Sequence, residues 1–208
     1  MASLSTGSAR AKTADRGNDL YETPACAVEA LLRAEDLPDV IWEPACGPGA
    51  IVRVLRQHGH TVYATDLVGY DSPDQDKSGW DFLMEQRLPL GVQAIVTNPP
   101  FKNAGEFVTH ALELCPKVVM LLRLAFMESQ KRTPILDGGH LARVHVFRNR
   151  LPMMHRDGQG TKPTERQNSS ALAFAWFVWD QYHQGPTELH RISWKATSPT
   201  PIERVGAE

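Results

Sequence analysis

Two periodicities divide the chain. Residues 25–34 set Val28, Leu31 and Leu32 at helical spacing behind a Thr23-Pro24 start suited to an N-cap and first turn, which predicts a helix. Val40-Ile41-Trp42 is a short apolar run ending in Glu43-Pro44-Ala45-Cys46-Gly47-Pro48-Gly49, and Ile51, Val52, Val54 and Leu55 follow at helical spacing. That pattern reads as strand, tight turn, helix. Residues 61–65 and 94–96 are further β-type runs, ending at Asp66 and at Thr97-Asn98-Pro99-Pro100-Phe101. A helix over 104–114, a strand over 117–124 and a strand over 140–147 follow, then a long polar segment at 148–168 and a strongly apolar strand over 171–179. Strands that alternate with helices imply a mostly parallel sheet covered on both faces. The final pair of strands has no apolar helix between its members, which predicts an antiparallel strand at one edge.

The ends carry no such pattern. Residues 1–18 are Ser, Ala, Thr, Gly and charge without periodicity and read as a disordered tail. Residues 185–208, with Pro186, Pro199 and Pro201, read as a peripheral C-terminal arm, which leaves 19–184 as a single domain. At 208 residues and 42% hydrophobic content, one core is the expectation. A net charge of −2 and a pI near 6.4 argue against coating nucleic acid by bulk electrostatics and direct attention to local patches. Cys26, Cys46 and Cys115 lack paired spacing and read as reduced thiols, the eight histidines show no metal-ligand spacing, and no metal is expected. No run approaches the roughly 20 apolar residues of a membrane span, and the start has no apolar signal core. A cytoplasmic protein with no membrane partner is the expectation.

In an open α/β sheet, ligands gather at the carboxyl ends of the strands, and the motifs of this chain all fall there. Gly47 and Gly49 allow a tight turn and close approach of a ligand to the backbone. Asp66 follows Gly49 by 17 residues at the next strand end, where a carboxylate can accept both hydroxyls of a ribose. In Trp80-Asp81-Phe82 the carboxylate can accept from an adenine amino group while Phe82 packs on the ring. Each feature alone also suits a bland role: a strand-to-helix turn, a helix N-cap, a turn residue, core packing.

Taken in order, the features resemble class I S-adenosylmethionine-dependent methyltransferases with an Asn-Pro-Pro-aromatic loop, over roughly residues 20–125. The resemblance implies a Rossmann-like fold with a mostly parallel seven-stranded sheet, and S-adenosylmethionine as cofactor. It also implies that Glu43, Ala45, Gly47 and Gly49 line the methionine part of the cofactor, that Asp66 holds the ribose, and that Asp81 and Phe82 hold the adenine. Tyr21, Thr23 and Pro24 resemble the segment that closes over the methionine carboxylate. The resemblance further implies that Asn98 touches both cofactor and substrate.

An amine on an aromatic ring is a poor nucleophile because its lone pair is delocalised. The side-chain oxygen of Asn98 and the carbonyl of Pro99 can accept its two N–H groups and turn the lone pair toward the methyl group. Pro100 stiffens the loop and Phe101 offers a stacking face. The displacement then needs positioning, not a metal or a covalent residue. In families that this chain resembles, such a loop serves adenine N6 in DNA, adenine N6 in RNA, or the amide of protein glutamine. Phe101 and the early Tyr-x-Thr-Pro look most like the DNA adenine-N6 enzymes, whose duplex substrate requires base flipping.

Residues 142–166 hold six cations against two acids, and Arg148, Arg150, Arg156 and Lys162 are candidate phosphate contacts. Arg123, Lys131 and Arg132 are candidates of the same kind, and a solvated loop is the bland alternative. Residues 65–85 hold six acids against one lysine, the opposite balance. No target-recognition domain is evident, so RNA, glutamine, or a non-catalytic cofactor-binding partner subunit remain as alternatives. The sequence leaves the oligomeric state open.

Overall fold

The computed structural model describes residues 20–138, 140–152 and 172–195. The predicted tail at 1–18 lies outside them, as do Arg156 and Lys162. Strands β1 (Val40–Glu43), β2 (Thr61–Ala64), β3 (Ala94–Thr97), β4 (Lys117–Arg123), β5 (Leu141–Phe147), β6 (Phe174–Asp180) and β7 (Glu188–Ile192) form one sheet in the order β2-β1-β3-β4-β6-β5-β7. The first four pair in parallel, β6 is antiparallel to both β4 and β5, and β7 is parallel to β5.

The sheet departs from the expected arrangement at two strands. The antiparallel strand is interior, not at an edge. Phe174–Asp180 is buried at every position but the last, and a strand apolar on both faces needs a neighbour on each side. The edge belongs to Glu188–Ile192, which lies inside the segment read as a peripheral arm and is mostly exposed, as a polar edge strand can be.

Helices α1 (Ala25–Leu32) and α2 (Ala50–Gln57) cover one face, where Val28, Leu31, Val52 and Leu55 pack with Ile41, Val119, Leu121 and Trp176. Helix α3 (Ala104–Leu114) and the 3₁₀ turn Phe82–Met84 cover the other, where Phe82, Phe107 and Val108 pack with Trp42, Met120 and Phe177. Pro24, not Thr23, sits at the N-cap of α1, and Thr23 is buried beside it. No helix among the described residues is long and apolar enough to cross a membrane.

At the amino-terminal ends of the parallel strands lies a charged network. Glu35, in the turn after α1, accepts from Arg143 Nε at 2.7 Å and Nη2 at 2.8 Å, from Lys117 Nζ at 2.9 Å and from His145 Nε2 at 3.1 Å. It ties the α1–β1 connection to β4 and β5, at the sheet edge opposite the glycine turn.

Candidate active site

The ends of β1, β2 and β3 open into a cavity of about 260 Å³. The glycine turn forms its floor. Gly47 has φ +52°, and a Cβ there would lie 2.9 Å from Leu20 Cδ1. Gly49 has φ +89°, and a Cβ there would stand 2.2 Å from Asp74 Cβ, a contact that no side chain tolerates. Gly49→Ala is therefore expected to cost at least about 1–2 kcal/mol of folding stability from the left-handed backbone alone, with a further loss from displacing Asp74. Chemical denaturation checks this, and an unchanged midpoint would contradict it.

Asp66 pins this turn. Its carboxylate accepts from Gly47 N and Val68 N, each at 2.9 Å. Burial pushes its pKa up from the ordinary carboxylate value, and the backbone donors oppose that shift. Glu43 is more deeply placed, 1% exposed, and its Oε1 accepts from Thr97 Oγ1 at 2.5 Å. Its Oε2 lines the cavity region with no hydrogen-bond partner among the described residues. Burial, with Asp66 nearby, drives the Glu43 pKa well up despite the bond from Thr97. Trp80 Nε1 is a second such atom, a shielded donor on a cavity-lining residue that bonds to nothing described.

The loop after β3 supplies the fourth wall. Asn98 Nδ2 donates to the carbonyl of Tyr21 at 2.8 Å, which fixes the amide and leaves Oδ1 shielded from solvent with no partner among the described residues. The amino-terminal segment is thus fastened to the loop by the residue expected to do the chemistry. Phe101 packs on Tyr21 and Phe174 with ring centroids 5.2 and 5.7 Å away, and Arg123 lies 4.5 Å from its centroid.

The cavity brings together Tyr21, Thr23, Glu43, Ala45, Gly47, Asp66, Asp81, Phe82, Asn98, Pro99, Pro100 and Phe101. Pro24 and Gly49 do not line it; they are the N-cap residues of α1 and α2. Asp81 is exposed at the rim, where it accepts from Leu83 N at 3.1 Å, and Phe82 is 2% exposed, wedged between Trp42 and Phe107. The acidic excess of 65–85 is only partly a ligand surface: Asp74 pairs with Arg53 at 2.6 Å and Asp76 with Arg56 at 2.9 Å.

Arg148 and Arg150 do not line this cavity. Arg148 Nε donates to Arg191 O at 3.2 Å, and the Arg150 carbonyl accepts from Trp194 at 3.1 Å, so β7 and the residue pair after it engage both. Sequence reasoning missed Thr97, the indole donor of Trp80 and Leu67, which is 61% exposed at the cavity mouth. Leu67 alone had a usable signal, as an apolar residue directly after a strand-end acid. Among the described residues, no three His, Cys, Asp or Glu side chains gather as metal ligands.

No protein-family model matches the sequence, and no curated protein does. Solved structures do. The chain is similar to PH1948 of Pyrococcus horikoshii, assigned as an RNA methyltransferase, at 13% identity and TM-score 0.52 over 76% of this chain and 85% of that one. It is similar at 14% identity and TM-score 0.55 to a modification subunit from Vibrio vulnificus YJ016, assigned to a type I restriction enzyme, over 92% of this chain. It spans only 49% of that subunit. The 23S rRNA methyltransferase ErmE matches at 15% identity and TM-score 0.51, over 78% of this chain and 70% of that one. The fold is the Rossmann-like fold of class I methyltransferases, with seven mostly parallel strands and helices on both faces, as the sequence led one to expect.

Proposed function

We propose that this protein transfers a methyl group from S-adenosylmethionine to the N6 amino group of adenine in DNA. The observation that carries the reading is the Asn98 amide, held by its donor to Tyr21 so that an unpartnered acceptor stands in the cavity wall.

The residues fit the cofactor. Glu43 Oε2 is a buried acceptor suited to an ammonium, Asp66 retains lone pairs for ribose hydroxyls, and Leu67 offers an apolar face to a flat ring. The Trp80 indole N–H, beside Asp81 and Phe82, is a donor for a ring nitrogen at the adenine end. When bound, the cofactor supplies an electrophilic methyl group on a cationic sulfur.

The rest of the chemistry belongs to the loop. Asn98 Oδ1 and the Pro99 carbonyl accept the two N–H bonds of the amino group, favouring a tetrahedral nitrogen with its lone pair toward the methyl carbon. Pro100 restricts the loop, and Phe101 bounds the base beside it. Transfer to that nitrogen would leave it acidic, and it would lose its proton to water without a base from the loop. In duplex DNA the base must leave the stack to reach this loop.

Glu43 makes the first step sensitive to pH. Its raised pKa favours the neutral acid in the free protein, whereas an ammonium partner favours the carboxylate. Cofactor binding is therefore expected to release a proton and to tighten as pH rises toward the free-state pKa. Calorimetry in buffers of different ionisation enthalpy reads this directly, and Glu43→Gln is expected to abolish the proton release and weaken binding about tenfold. A pH-independent affinity would contradict this role. The function itself is tested by offering labelled S-adenosylmethionine with duplex DNA, single-stranded DNA, RNA and protein extract. Label in DNA is the expected result, and label confined to RNA or protein would overturn the substrate while keeping the chemistry.

A further inference from the structure

A second cavity, about 1030 Å³, opens on the other side of the catalytic loop. It shares Leu83, Phe101 and Asn103 with the first, so whatever lies in it abuts the loop that presents the target nitrogen. Its size is at the top of the roughly 300–1,000 Å³ range of small-molecule sites. One wall is the start of α3, and the other is the end of β4 with the short helical turns that follow it.

The charge of this groove is uneven. Lys102, Arg123, Lys131 and Arg132 line it against Glu106 and Glu113. The arginine and lysine ion pairs on α2 and around Glu35 involve none of Arg123, Lys131 and Arg132. Two of the groove cations are already held in place. Arg132 Nη1 donates to the carbonyls of Phe126 and Glu128, both at 3.0 Å, with its guanidinium 4.3 Å from the Phe126 ring centroid. Arg123 lies over Phe101, at the junction of groove and cavity. Planar guanidiniums fixed along a groove suit phosphate oxygens, whereas a neutral amide side chain has no use for them.

We infer that this groove carries the sugar-phosphate backbone of a polynucleotide whose target base enters at Phe101, and that the Arg148 surface does not. The inference rests on the reading that Asn98 presents the amino group. Backbone contacts of this kind set register and affinity without reading sequence. Lys131, exposed and followed by the anchored Arg132, is a groove cation well removed along the chain from the loop.

The test is fluorescence anisotropy with labelled 20-nucleotide single-stranded DNA, duplex DNA and RNA across a potassium chloride series, with methyl transfer measured on the same oligonucleotides. For Arg123→Gln/Lys131→Gln, polynucleotide affinity is expected to fall at least tenfold and the salt slope by about 1.4 on single strands and about 1.8 on duplex, the values for two lost phosphate contacts. S-adenosylmethionine binding should be unchanged, which shows that the variant is folded. Lys131→Glu alone, at an exposed site away from Phe101, is expected to weaken binding in the same direction. Arg148→Gln/Arg150→Gln should bind as the wild type does.

If the wild type methylates DNA or RNA while the groove variants keep its affinity and slope, the groove is refuted and the methylation reading stands. A slope loss confined to the Arg148/Arg150 variant refutes the groove in the same way. If the wild type neither binds nor methylates any polynucleotide, and label enters protein alone, both fail. Preference between DNA and RNA arms identifies the sugar.

Discussion

Replacing Asn98 with Ala is expected to lower kcat by about 10²–10³-fold, the scale seen when one preorganised polar contact to a developing charge is removed. The geometry makes the residue do two jobs. Its Nδ2 holds Tyr21 at 2.8 Å, and that contact orients Oδ1 as the free acceptor. Alanine removes both. Asn98→Asp separates them: it keeps an acceptor for the target but sets a second acceptor against the Tyr21 carbonyl. Its expected kcat is intermediate, with a looser amino-terminal segment. The cofactor Kd of Asn98→Ala should change far less than kcat, because Glu43, Asp66 and Trp80 remain. A kcat within threefold of the wild type would show that the loop acceptor is not what activates the nitrogen.

The largest expected effect on stability lies at the opposite edge of the sheet. Glu35 is 7% exposed and compensates Arg143 and Lys117, with His145 a further partner. Glu35→Gln leaves those cations facing an uncharged amide and is expected to cost roughly 3–5 kcal/mol, on the order of 10 °C in Tm for a chain this size. Pairing Glu35→Leu with Arg143→Met should recover part of the loss, since isosteric apolar replacement of a buried pair removes the uncompensated charge. The pH dependence has a definite sign. Burial pushes the Glu35 pKa up, but hydrogen bonds from His145, Arg143 and Lys117 outweigh it and hold the carboxyl well below the usual carboxylate range. Its contribution is therefore complete above the unfolded carboxylate pKa near 4.3 and is lost as pH falls toward the depressed folded value. Denaturation between pH 3 and pH 7 should show an acid-side decline in the wild type that is shallower in Glu35→Gln. Parallel profiles would show that Glu35 does not set the acid limit of stability.

What was legible in the sequence was what local signals encode. The glycine turn, the strand-end Asp66 and Asn98-Pro99-Pro100-Phe101 each announce a chain reversal at a strand's carboxyl end, and parallel pairing then places all three on one edge. The antiparallel strand announced its apolar character but not its neighbours, because β4 and β5 find it through long-range pairing. Glu35 was invisible for the same reason: its partners Arg143 and His145 are 108 and 110 residues away. Gly49 read as a ligand contact, yet its steric partner is Asp74, in a loop whose path local signals do not set. Thr97 and Trp80 matter through a buried oxygen and a shielded N–H, which only packing reveals. The arginines after β5 drew attention by number, whereas the groove after β4 holds fewer cations in a concave surface beside the Asn98-Pro99-Pro100-Phe101 loop.

The central claim is best tested by nucleoside mass analysis of unmethylated DNA incubated with S-adenosylmethionine and either the wild-type protein or Asn98→Ala. N6-methyl-2′-deoxyadenosine that accumulates with the wild type and falls at least a hundredfold with the variant is the result expected. Methylated product that appears equally with both proteins, or DNA left unmodified while the cofactor is bound, would contradict it.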